Sequence, residues 1–153
     1  MKKNNKGFSL LELIIAIALL SAVSTILLSF MTTGSTMFRR VSTEVSLQME
    51  SQVVMTQLRE YIIDCNDTLR YEESTHTLTV MNSGPQQHIF TWNPTTGIIL
   101  YNGDPLAEHV AAFHLAQGEG AVEITLVFER ASESYRATQT IALRNDTVTI
   151  DFL

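Results

Sequence analysis

Lys6-Gly7-Phe8-Ser9-Leu10-Leu11-Glu12 opens a long uncharged run, and the reading of that run decides the rest. Lys2, Lys3 and Lys6 come first, Glu12 is the one carboxylate, and no further charge occurs until Arg39. An acidic side chain at mid-bilayer costs roughly 2.5–3.5 kcal/mol. A lone Glu12 at the head of such a run therefore calls for a partner or a job. Leu13–Phe38 holds 26 residues without a charge. As helix it spans about 39 Å, against a hydrocarbon core of about 30 Å. The lysines predict a cytoplasmic N-terminus, with the chain beyond residue 38 on the far side of the membrane.

Plainer readings of the same stretch exist. A simple anchor accounts for the length but not for Glu12. A secretory signal would use Ala22-Val23-Ser24 as its small-residue cleavage site. Ile26, Leu27, Leu28, Phe30 and Met31 carry the apolar run past that point and argue against it. Glu12 would also favour a helix N-terminus through the macrodipole, and this is compatible with a further role.

The basic leader, G-F-S-L-L-E and the following apolar helix together resemble the class III signal of type IV prepilins and of the pseudopilins of type II secretion. The resemblance implies that a membrane prepilin peptidase cuts after Gly7 and N-methylates Phe8. It implies that Glu12, fifth in the mature chain, helps recruit the subunit into a growing filament. Leu13, Ile14, Ile15, Leu19, Leu20, Leu27 and Leu28 would then belong to the membrane helix. The implied partners are the peptidase, other pilin or pseudopilin subunits, the inner-membrane assembly platform, and lipid before assembly. Major subunits usually carry a proline midway along this helix. Ser29 stands near that place here, which favours a minor subunit.

Composition narrows the remaining classes. Beyond residue 7 the chain has seven arginines and no lysine against sixteen acidic residues, a net charge of −9. Phosphate contacts need clustered Lys and Arg, so direct nucleic-acid binding is not expected. Cys65 is the single cysteine and cannot form an intrachain disulfide. His76, His88, His109 and His114 lack metal-ligand spacing, and no nucleophile elbow or phosphate loop is present. Asp64, Asp67, Glu72 and Glu73 form an acidic cluster best read as a solvated loop, without EF-hand spacing. No catalysis, cofactor or metal is expected. Chemistry is done to this chain at Gly7 and Phe8.

No proline precedes Pro85, and Gly34 is the one glycine between residues 8 and 83. A helix is therefore predicted from about Phe8 to Asp64. Leu47, Val54, Leu58 and Tyr61 make its apolar stripe, with Val53 and Ile62 beside it. Hydroxyls of the first half, Ser21 to Thr33, are expected to bond back one turn or to touch neighbouring helices. Cys65-Asn66-Asp67 breaks the helical pattern, and from there the chain reads as strands, with weak alternation at Thr77–Val80. His88–Trp92 and Gly97–Tyr101 flank Asn93-Pro94-Thr95-Thr96 as a hairpin. Val122–Phe128, Tyr135–Leu143 and Val148–Phe152 alternate as half-buried antiparallel strands. The predicted fold is α+β, with one long helix packed on antiparallel sheet of six to eight strands. Its segments are a leader at 1–7, a membrane or filament-core helix at 8–38, an amphipathic continuation at 39–64 and a β domain at 65–153.

Trp92–Phe113, with Pro105-Leu106-Ala107, Val110 and Phe113, is similar to larger minor pseudopilins, the J type of type II secretion and the W type of pili. Ile141–Asn145 is similar to their final strand. The function expected from all this is a minor pilin or pseudopilin of a type IV pilus-like or secretion filament, initiating or capping assembly. The competing readings are a membrane-anchored extracytoplasmic binding domain that never polymerises and a pseudopilin of DNA uptake.

Overall fold

The computed structural model describes residues 9–118, 120–145 and 148–153. One helix, α1, runs Leu10–Ile63. Nine strands follow: β1 Thr68–Glu72, β2 Thr77–Met81, β3 Gln87–Asn93, β4 Ile98–Tyr101, β5 Asp104–Ala107, β6 Val110–Gly118, β7 Ala121–Arg130, β8 Glu133–Ala142 and β9 Thr149–Phe152. The chain separates into two compact units, residues 1–41 and 42–153. The second unit holds a six-stranded sheet ordered β5-β4-β3-β2-β1-β9 and a three-stranded sheet ordered β6-β7-β8. This is the α+β arrangement expected from the sequence, pilin-like in having one long N-terminal helix followed by sheet.

The second half of α1 closes the core of that unit. Leu47, Ser51, Val54, Met55, Leu58 and Ile62 are buried, and at 100° per residue they fall within an arc of about 100°. Val53 was expected beside this stripe but is 52% exposed. It lies about 120° round the helix from Leu47, on the side carrying exposed Val45 and Met49. Ser51 and Met55 take the inward places instead, because helical phase counts more than side-chain polarity. Opposite them, Leu69, Leu78, Phe90, Phe113, Val122, Ile124, Leu126 and Phe128 are almost fully buried.

Turn chemistry sets the hairpins. Asn102 and Gly103 both have positive φ, 50° and 93°, as a two-residue turn between paired Tyr101 and Asp104 requires. The β3–β4 turn is held by Asn93, whose Oδ1 accepts the amides of Thr95 and Thr96. Gly97 then has φ 66°, and a Cβ there would meet the Val110 carbonyl oxygen at 3.3 Å. Side chains also bridge the two sheets. Trp92 Nε1 donates to the Val110 carbonyl at 3.0 Å, and the Tyr71 hydroxyl donates to the Phe113 carbonyl at 3.4 Å.

Three expectations need correction. The last strand was expected to be antiparallel, yet β9 pairs parallel with β1, Leu69 opposite Ile150 and Tyr71 opposite Phe152. Alternating side chains fix which face is buried but not the direction of the neighbour. Ile141–Asn145 is not the final strand either. β8 ends at Ala142, and the chain crosses to the other sheet, where Leu153 N–H bonds the Tyr71 carbonyl at 3.0 Å. Glu72 was read as loop but ends β1, and its carboxylate accepts the hydroxyls of Ser74 and Thr75.

Phe128→Ala should lower the unfolding free energy by about 3–5 kcal/mol in a denaturant titration. Val53→Ala should stay within about 0.5 kcal/mol, because that side chain is 52% exposed and lies outside the buried stripe.

Candidate functional site

Gly7 and Phe8 lie outside the described residues. The site can be built from Ser9 onward. The Ser9 carbonyl accepts the Leu13 amide at 3.1 Å, which makes Ser9 the capping position of α1. Glu12 falls in the first turn, at the third helical place after that cap. Ser9-Leu10-Leu11-Glu12 thus has the S-x-x-E form of a capping box. This spacing was legible in the sequence and was missed there. The spacing suits Glu12 to a helix start beside any other role. Unbonded amides at a helix N-terminus carry partial positive charge, so an acid is favoured there even before a partner arrives.

The remaining expected site residues follow on the same helix. Leu13, Ile14, Ile15, Leu19, Leu20, Leu27 and Leu28 are all exposed, between 51% and 69%. The helix is long and apolar enough to cross a membrane, and its most apolar window has no buried residue. Several of the hydroxyls that dilute the run are satisfied within it. Ser21 bonds the Ala18 carbonyl, Ser24 the Leu20 carbonyl, Thr25 the Ser21 carbonyl and Thr32 the Leu28 carbonyl, all at 2.8–3.1 Å. Such back-bonding keeps polar hydrogens off the surface that hydrocarbon would meet. The arrangement suits burial in an apolar medium, with one acid left at its head.

Three of the histidines, His76, His88 and His109, make contacts in the second unit, and His114 is exposed. His76, in a turn with φ 50°, lies against Trp92 with ring centroids 4.9 Å apart. His109 Nδ1 is 3.7 Å from Glu50 Oε2, an ion pair of the helix with the β5–β6 connection when the ring is protonated. His88 stacks on Tyr61 at 3.9 Å, and its Nδ1 is 2.8 Å from the Tyr101 hydroxyl. Burial, then the hydrogen bond and charge interaction with Tyr61, push the Tyr101 phenol up from 10.0 to about 12.

Residues 2–28 match the model of the prokaryotic N-terminal methylation motif. The chain carries a prepilin-type signal, and this supports its place in the type IV prepilin and pseudopilin family. No curated protein and no solved structure matches the chain. The motif implies processing by a prepilin peptidase and interaction with pilin-type subunits. Subunits of this family are typically structural and non-enzymatic. The long apolar helix is consistent with a single-pass membrane anchor.

Tyr101 holds its proton more tightly in the folded chain than in an unfolded one. Its contribution to stability is complete below the ordinary phenol value of 10.0 and is lost as pH rises toward about 12. The unfolding midpoint should therefore fall across that window, together with the ultraviolet rise of tyrosinate. Tyr101→Phe should flatten that part of the decline.

Proposed function

We propose that the protein is a minor pilin or pseudopilin, a structural subunit that starts or caps a type IV pilus-like or type II secretion filament. Residues 1–7 are the leader, 8–38 the membrane and filament-core helix, 39–64 its amphipathic continuation and 65–153 the β domain. The reading is carried by one conjunction. A methylation motif leads directly into a helix that is apolar on every side and has a single carboxylate in its first turn. The missing mid-helix proline supports a minor rather than a major subunit. The lysines at positions 2, 3 and 6 support a cytoplasmic N-terminus and an extracytoplasmic β domain.

The mechanism is electrostatic. Cleavage after Gly7 creates an α-amine on Phe8, and such an amine is positive at neutral pH. In hydrocarbon, an unpaired carboxylate and an unpaired ammonium are both costly. Pairing the new amine of one subunit with Glu12 of its neighbour offsets both and fixes the axial register between helices. The partner of Glu12 exists only after the cut, so processing precedes assembly.

Gly7→Val should leave full-length protein in the membrane, because a branched side chain obstructs the peptidase. Normal maturation of that variant, read by mass spectrometry of the N-terminus, would count against the assignment. Glu12→Gln separates the two roles of that residue. It keeps the S-x-x-E/Q capping form but removes the charge, at a cost of about 3–5 kcal/mol to a buried pair. The expected product is cleaved, methylated and retained in the membrane, and absent from sheared filaments. Full incorporation of Glu12→Gln would reduce Glu12 to a helix-start residue.

A further inference from the structure

A sheet edge presents unpaired N–H and C=O groups, and proteins protect such edges with prolines, bulges, charges, short strands or covering groups. Three of the four edges described in the second unit are protected in this way. β5 has four residues, includes Pro105 and pairs across a register shift at Ile99/Leu100. β9 has four residues. β6 pairs across a register shift near Val110, and the carbonyls of Val110 and Phe113 accept Trp92 and Tyr71. β8 differs. It has ten residues, about 34 Å of strand, with no proline and an unbroken register against β7 from Ala121↔Ala142 to Arg130↔Glu133. It ends its sheet. Among the described residues, the backbone of Ser134–Ala142 bonds to no element other than β7. One charge, Arg136, lies in that stretch.

We propose that the β8 edge pairs antiparallel with the β8 edge of a second copy of this chain, about a two-fold axis at Thr138. Self-matching cross-strand pairs suit a second copy as the occupant, and charge selects the register. With Thr138 opposite itself, Arg136 faces Thr140 and Ser134 faces Ala142 on one side of the ribbon. On the other side half-exposed Tyr135 comes beside Ile141, and Ala137 beside Gln139. Thr–Thr and aromatic–β-branched pairs are favourable cross-strand neighbours. A two-fold axis at Arg136, or a parallel alignment in register, would instead set two guanidinium groups face to face. The contact joins identical patches, so it closes at two copies. It joins two three-stranded sheets into one of six and does not depend on filament formation.

Thr138→Cys tests this in full-length protein in native membranes, oxidised and run without reductant. Opposed Cα atoms of an antiparallel pair lie about 4.5–5.5 Å apart, within the roughly 4.4–6.8 Å that a disulfide spans. Thr138→Cys should give a reducible band at twice the subunit mass. The unsubstituted chain should give none, because Cys65 is buried. Ser134→Cys alone should give little, while Ser134→Cys with Ala142→Cys restores the band. Adding Thr140→Arg to Thr138→Cys opposes Arg136 twice over and should abolish the band with circular dichroism unchanged. No band at Thr138→Cys, equal bands at Thr138→Cys and Ser134→Cys, persistence with Thr140→Arg, or an adduct of another mass would each overturn the proposal. The last would assign the edge to a different protein.

Discussion

Backbone N–H and C=O groups find no water inside hydrocarbon, so a lone segment placed there must satisfy all of them within itself. A helix is the one way for a single strand of chain to do this, and the N-terminal third of the protein is built to that demand. From Leu10 to Phe38 it contains no proline, its one glycine is Gly34, and Ser24, Thr25, Thr32 and Thr36 bond back to carbonyls of the preceding turn. The same helix then continues to Ile63 without a break. Its second half buries one stripe against sheet and leaves the other side open. The surface chemistry changes along the helix while its hydrogen bonding does not.

That continuity places a demand on the β unit. A single amphipathic helix cannot hold two sheets together by its own stripe. The remaining adhesion comes from aromatic side chains with polar tips. Trp92 reaches from β3 to the Val110 carbonyl of the other sheet, and Tyr71 reaches from β1 to that of Phe113. Each buries a large ring and still satisfies its donor, the combination that makes Trp and Tyr useful at internal boundaries. The chain end is tied within the six-stranded sheet, along β1. Thr149 N–H bonds the Asp67 carbonyl, Glu73 N–H bonds the Leu153 carbonyl, and Asn145 Nδ2 donates to the Cys65 carbonyl. Removing the last strand would therefore expose β1 along its whole length. The aromatic stack of Tyr61, His88 and Tyr101 does similar work between the end of α1 and the β3–β4 hairpin.

Glu12 illustrates how one residue answers two requirements. As the third helical residue after Ser9 it suits a helix start, and as the lone acid of an apolar helix it suits pairing with a cation. Neither role excludes the other, and a carboxylate placed for capping is already oriented near the end of the segment where a new amine would arise. The methylation motif at residues 2–28 joins the two in one stretch.

What the sequence by itself determined is local and periodic. Charge depletion from Leu13 to Phe38 marked the membrane-compatible helix. The absence of breakers carried it to the 60s, and period-two alternation in Val122–Phe128 and Tyr135–Ile141 assigned the buried faces of β7 and β8 correctly. The Asn93–Gly97 turn was equally plain, because its side chains make the turn themselves. What only the tertiary structure decided is relational. Alternation is blind to strand direction, so nothing in Val148–Phe152 could reveal a parallel partner in β1. A helical stripe does not fix its own edges, so Val53 fell outside the buried face and Met55, not singled out from the sequence, inside it. Pairing across the two sheets depends on contacts between different strands, 18 residues apart for Trp92 with Val110 and 42 for Tyr71 with Phe113. Those contacts form only once both sheets exist, and no window along the chain contains them.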